Sequence, residues 1–178
     1  VATKRKVGVD PAEGGTHREL SDDFFQRNKE KFDVIFIDGL HHYQQVRRDT
    51  LNALESLEDG GWIAFHDFLP ASWKEHHVPR LQTAWTGDCW KVAVELTQAK
   101  GVDFKILEID NGVGLLRKTS SDWNIPDIVP NSSDEANVFW GTKAKKEIFP
   151  RVVQDVYGTR TTVIGGGGFG RFIIVGYC

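Results

Sequence analysis

Hydrophobic and polar positions along this chain change period several times, and each change marks an element. Val34-Ile35-Phe36-Ile37 is a continuous apolar run rich in β-branched and aromatic residues. The polar stretch Asn28-Lys29-Glu30-Lys31 precedes it and Asp38-Gly39 ends it, which predicts a strand buried on both faces of a parallel sheet. Lys6 to Pro11, KVGVDP, predicts a shorter strand that ends in Asp10 and is stopped by Pro11. Trp62 to Phe65, WIAF, predicts a third, followed at once by His66-Asp67. Between the last two, Val46, Thr50, Ala53, Leu54 and Leu57 share one helical face, with Arg47, Arg48, Asn52 and Glu55 turned away. Asp59-Gly60-Gly61 is expected to close that helix. Ser21-Asp22-Asp23 ahead of Phe24-Phe25 predicts another helix, with Ser21 as N-cap and acids in its first turn. A further helix is predicted over Trp85 to Lys100, where Trp85, Cys89, Ala93 and Leu96 share a face, so Cys89 reads as core packing.

Asp103 to Ile109 and Val113 to Arg117 are strand-like runs joined by Asp110-Asn111-Gly112, and Asn-Gly between apolar runs predicts a tight hairpin. The pattern as a whole is α/β: a Rossmann-like, doubly wound, mostly parallel sheet ending in an antiparallel hairpin. A right-handed crossover through the helix Val46 to Leu57 places the strands ending in Asp38 and Asp67 side by side. Their carboxylates then line the edge where open α/β sheets bind ligands. From Thr119 the character changes. Ser120 to Glu135 reads as a linker, Glu135 to Val156 as mixed helical, and Gly165, Gly167 and Gly170 fit a G-x-G-x-x-G pattern. A phosphate-cradling loop needs a helix after its third glycine, whereas Arg171 to Gly176 has strand composition. The expected division is therefore an α/β domain over 1–118 and a C-terminal extension with a glycine-rich tail over 119–178. Within it one alternative stands, a circularly permuted arrangement in which the tail supplies a strand of the sheet.

Composition narrows the partners. The chain has 178 residues, a formal net charge of -3 and 40% hydrophobic residues, which fits one globular domain with a tail and argues against nucleic acid or an anionic membrane as partner. No apolar run approaches the roughly 20 residues of a membrane span. The two cysteines, Cys89 and Cys178, lack metal-type spacing and are expected as free thiols in a cytoplasmic setting. There is no methionine, so a fragment, a processed product or a trimmed chain is expected. His76-His77, on a polar connection, reads as a solvated pair.

KVGVDP, SDDFF, FDVIFIDGLHHYQQVRRD, LEDGGWIAFHDFLP, WTGDCWK and the hairpin ending VGLLRK, in this order, resemble class I S-adenosylmethionine-dependent methyltransferases. The resemblance covers roughly Lys4 to Lys118 and is strongest to the small IDG-x-H-x-Y-type subgroup related to catechol O-methyltransferase-like enzymes. It implies S-adenosylmethionine as cofactor and a small-molecule acceptor methylated at oxygen. Asp10 would hold the ribose hydroxyls and Asp22 would lie near the adenine amino group. Asp38 and Gly39 would face the methionine end of the cofactor, with Asp38 and His41 as the catalytic pair and His41 as general base. Asp38 and Asp67 would hold a divalent metal. The family carries an amide ligand at the next position, where this chain has Phe68, and His66 is the compensating donor. The family's first strand and glycine loop are absent ahead of KVGVDP. That predicts a central gap, which is filled by the tail at Thr161 to Ile164 or by a second copy, as in a homo-oligomer, or else leaves the chain a weak binder of the cofactor. Other readings are an NAD(P)-dependent oxidoreductase, whose glycine loop should precede the acid, a metal-dependent hydrolase on Asp38, His41, His66 and Asp67, and a non-catalytic remnant of the fold.

Overall fold

The computed structural model describes residues 4–129, 152–153 and 171–176. Its strands are β1 (Arg5–Val9), β2 (Phe32–Asp38), β3 (Leu57–Phe65), β4 (Val102–Leu107), β5 (Val113–Lys118), β6 (Val152–Val153) and β7 (Arg171–Gly176). The helices are α1 (Ser21–Arg27), α2 (Tyr43–Glu55), the single turn α3 (Trp73–His76) and α4 (Trp90–Thr97). All seven strands form one sheet in the order β1-β7-β2-β3-β5-β4-β6. The sheet is Rossmann-like and mostly parallel, and the β4–β5 hairpin supplies the antiparallel part.

The position expected to be missing is occupied. β7 lies between β1 and β2, parallel to both, so that Val7, Ile173 and Ile35 form one cross-strand row, and Val9, Val175 and Ile37 the next. Thr161 to Ile164, the stretch expected to do this, lies outside the described residues, as do Cys178 and the glycines at 165, 167 and 170. The strand that fills the gap is the later run RFIIVG. Its burial alternates as a strand's does: Ile173 and Val175 are buried in the core and Ile174 between them faces the other side. The first row continues through Ile63 and Leu116 to Phe104. Against it pack Phe24 and Phe25 of α1, Val46, Ala53 and Leu54 of α2, and Trp90, Ala93 and Val94 of α4, all in one buried cluster.

Local corrections concern ends. Ser21 is the first residue of α1 and not its cap. Leu20 holds the cap position, and the Ser21 hydroxyl instead accepts a hydrogen bond from Gln45 Nε2 at 3.2 Å. α2 begins at Tyr43 and stops at Glu55, ahead of the glycines, because Lys118 of β5 reaches the carbonyls of Leu54 and Leu57 at the helix end. Asp59, Gly60 and Gly61 become a bulge inside β3, where the pairing with β2 jumps from Phe32↔Leu57 to Val34↔Trp62. α4 starts at Trp90, five residues later than expected, because Gly87 takes φ +62° and turns the chain. Cys89 is buried at the start of α4, and burial raises its thiol pKa, as core packing requires. The hairpin forms as predicted, with Asp110 and Asn111 at positive φ and Gly112 N donating to Ile109 O at 2.7 Å.

Candidate active site

Four strand ends converge on the site. β2 ends in Asp38 and β3 ends beside His66-Asp67, and the two strands pair directly. His66 N donates to Ile37 O at 3.2 Å, which carries the pairing one residue beyond β3. Asp67 then takes a left-handed conformation, φ +62°, while only 4% exposed. A non-glycine residue pays for that geometry in backbone strain of about 1–3 kcal/mol, and such strain gathers at functional sites. The hairpin tip holds it in place: Phe68 N donates to Gly112 O at 3.0 Å and Leu69 N to Asn111 O at 2.7 Å. A Cβ on Gly112 would lie 2.6 Å from Leu69 N, so only glycine permits this contact. The Phe68 side chain stacks on Phe65 in the core at 4.9 Å between centroids and contributes nothing polar.

Asp38, His41, His66 and Asp67 thus form one cluster. His41 Nδ1 lies 3.2 Å from Asp67 Oδ2 and its Nε2 lies 3.5 Å from Asp38 Oδ1. His66 Nδ1 lies 3.2 Å from Asp67 Oδ1 and 3.6 Å from Asp38 Oδ1. The hydrogen bond from His41, helped by the charge of His66, holds the Asp38 pKa below the ordinary carboxylate value despite burial. Burial works against the charged form of His41, but Asp38 and Asp67 outweigh it and raise its pKa. His66 is raised in the same way by Asp110, Asp67 and Asp38. One ligand atom each from Asp38, His66 and Asp67 lies within 4.8 Å of the others, a three-donor arrangement that fits a metal ion. Among the described residues no other such group occurs. His76 is buried against Trp90, and His77 faces the Pro79 carbonyl at 2.9 Å, so the pair lies apart from the acids.

His41 is held rigidly. Its ring stacks on Trp85 at 5.7 Å, and its carbonyl accepts from Asp88 N at 3.1 Å. A Cβ on Gly87 would sit 1.8 Å from that carbonyl, which excludes any side chain there. Asp88 also accepts from Tyr43 N at 2.6 Å and so caps α2. The loop 71–88 therefore packs on the side of the cluster formed by His41.

On the other side of Gly39 the surface opens into two cavities that share Gly176 in their walls. One, of about 210 Å³, is bounded by Pro11, Ser21, Asp22, Gly39, Asp49 and Val175. The other, of about 420 Å³, is bounded by Gly8, Asp10, Gly14, Gly15, Thr16 and Ile174. Asp10 lies between them. Its Oδ1 accepts from Ala12 N at 2.7 Å and Glu13 N at 2.8 Å, and a Cβ on Gly176 would lie 3.5 Å from its Oδ2. Gln45 is the hub of the smaller cavity, donating to Asp22 Oδ1 at 3.3 Å and Asp49 Oδ1 at 3.1 Å. Asp49 is 1% exposed, and burial pushes its pKa up to about 6.

Asp10, Asp22, Gly39 and Asp38 thus surround one continuous edge, with Asp38, His41, His66 and Asp67 at its far end. Residues 9–68 match the family model of a methyltransferase domain. The match spans about a third of the chain and supports a methyltransferase family at that coarse level. It runs from the last residue of β1 past the end of β3 and takes in every polar residue of the cluster, together with Asp10, Asp22, Gly39, Gln45 and Asp49. No curated protein matches the chain. Among the described residues no helix is long and apolar enough to cross a membrane.

Asp49, Gln45, Asp110 and Gly176 were missed by sequence reasoning. Asp49 sits on the apolar face of α2, three residues after Val46 and four before Ala53, and an acid on a buried face is a signal that was available. Asp110 read only as a turn residue. Gly176 had no signal at all, because its place depends on where β7 inserts.

Proposed function

We propose that the protein transfers a methyl group from S-adenosylmethionine to an oxygen of a small-molecule acceptor. The observation that carries this reading is the alignment of Asp10, Gly176 and Gly39 at the ends of β1, β7 and β2. These are three adjacent strand ends, with the two cavities opening between them. The residues fit the cofactor. Asp10 keeps Oδ2 for a ribose diol while backbone amides of Ala12 and Glu13 satisfy Oδ1 and fix the orientation of the carboxylate. Gly39 and Gly176 place no side chain at these strand ends, beside Asp49 Oδ2 and Asp10 Oδ2. Asp22 and the Gln45 amide offer polar partners to the base at the far wall.

The cofactor supplies an activated methyl sulfonium, so the protein has to position the acceptor, exclude water and remove a proton. The buried Asp67 faces His41 Nδ1 and orients the ring, with Nε2 on the more open side, beside Asp38, as the atom that would exchange a proton with the acceptor. Stacking on Trp85 keeps the ring in that orientation. A dication held by Asp38, His66 and Asp67 would lower the pKa of an acceptor hydroxyl beside it.

Calorimetric titration of S-adenosylmethionine tests the reading. Asp10→Ala should lose a charge-assisted hydrogen bond of about 1.5–3 kcal/mol, and Asp67→Ala should leave cofactor affinity near the parent value. Gly176→Leu should obstruct both cavities and weaken binding further. Equal affinity in all three variants would remove these strand ends from the cofactor site.

A further inference from the structure

His66 is oriented by a residue from another element. Its Nε2 lies 3.0 Å from Oδ2 of Asp110, at the tip of the β4–β5 hairpin. Asp110 stands in left-handed backbone, φ +45°, and its side chain is 74% exposed except for this contact. A proton on Nε2 donated to Asp110 leaves Nδ1 as a lone pair, and Nδ1 faces Oδ1 of Asp67 and Oδ1 of Asp38. With the ring neutral, three lone pairs converge on one point, an arrangement that a cation between them would compensate. A carboxylate behind a histidine ligand is also the usual device for fixing its tautomer and raising its donor strength.

We propose that Asp110 and His66 convert the Asp38–Asp67 pair into a mixed nitrogen–oxygen site that selects a first-row transition-metal dication over Mg²⁺ or Ca²⁺. Magnesium and calcium take oxygen ligands, whereas an imidazole donor suits zinc, iron and nickel. The position that would supply an all-oxygen set holds Phe68, whose ring is buried in the core. The inference rests on the proposed site in taking this cluster as functional, and it assigns Asp110 the role of a positioning residue that touches no substrate.

The test is titration of the full chain with Zn²⁺, Co²⁺ and Mg²⁺ separately, by calorimetry and, for Co²⁺, by visible absorption, with S-adenosylmethionine affinity measured on the same preparations. Zn²⁺ should bind at least ten-fold tighter than Mg²⁺. Asp110→Asn should weaken Zn²⁺ by about 10–100-fold, move Mg²⁺ far less and leave the circular dichroism unchanged. His66→Gln, which offers an amide oxygen, should erase the preference for Zn²⁺ and perturb the Co²⁺ spectrum. Zn²⁺ binding that survives Asp67→Asn lies elsewhere and overturns the proposal, as does equal affinity for Zn²⁺ and Mg²⁺ in the parent chain. Absence of metal binding by a chain that binds S-adenosylmethionine also overturns it, because the histidines then neutralise the acids unaided. Metal binding as expected without cofactor binding would sink the proposed function and leave this inference standing.

Discussion

The two halves of the site treat their carboxylates in opposite ways. At the end of β2, Asp38 is half-buried beside two histidines, and its pKa is held down. Nearly two helical turns into α2, Asp49 is almost fully buried beside an amide and a second acid, and its pKa rises to about 6. Burial acts on both. What differs is the company: cationic partners keep an acid ionised, and neutral donors do not offset the loss of water. The polar half is therefore built for charge. The half around Gln45, Asp22 and Asp49 holds one carboxyl poised to be neutral. The halves also differ in origin. The charged half comes from short motifs at strand ends, whereas the cavity half is complete only when β7 inserts from a distant part of the chain.

The largest effect should come from breaking the cavity half at its strand. Ile173 is fully buried between Val7 and Ile35, so Ile173→Asp places an unpaired charge in the central row. Loss above about 4 kcal/mol is expected, seen as the disappearance of a cooperative unfolding transition. A normal transition would show that β7 is not integral to the sheet. The matching change in the charged half, His41→Ala, should instead leave unfolding nearly intact and lower kcat by about 10²–10⁴-fold, with cofactor affinity unchanged. Equal damage to affinity and kcat would make His41 a binding residue.

A smaller effect sharpens the contrast between the acids. The folded pKa of Asp49 lies above its unfolded value of 3.8, so its ionisation opposes folding. Its contribution is favourable below pH 4 and is lost as pH rises from about 4 through about 6. Asp49→Asn should accordingly match the parent chain at pH 4 and exceed it by up to about 3 kcal/mol at pH 8, measured by denaturant unfolding at both values. A variant less stable at pH 8 would show that the carboxylate is ionised in the fold and satisfied by its neighbours.

Strand composition, helix faces and the Asn-Gly turn were local properties, and residues a few positions apart decided them. That is why β1 to β5 and the positions of Asp10, Asp38 and Asp67 at strand ends could be read from the chain. The pairing of Asp38 with Asp67 followed from one further rule, the hand of a β-α-β crossover. Helix and strand ends were less legible, because distant groups set them: Lys118 at the end of α2, Asp88 at its start, and Gly87 ahead of α4. Two features needed the tertiary structure. A tail strand filling the gap was an alternative the sequence left open, but the choice of RFIIVG and its register between β1 and β2 depend on a cross-sheet row of Val7, Ile173 and Ile35, residues that no local pattern connects. Asp110 could be recognised as a turn residue, but its partnership with His66, 44 positions away, exists because the antiparallel hairpin folds its tip onto the loop after β3. Periodicity carries information about which face a residue occupies, and only the packed sheet determines which residues meet across it.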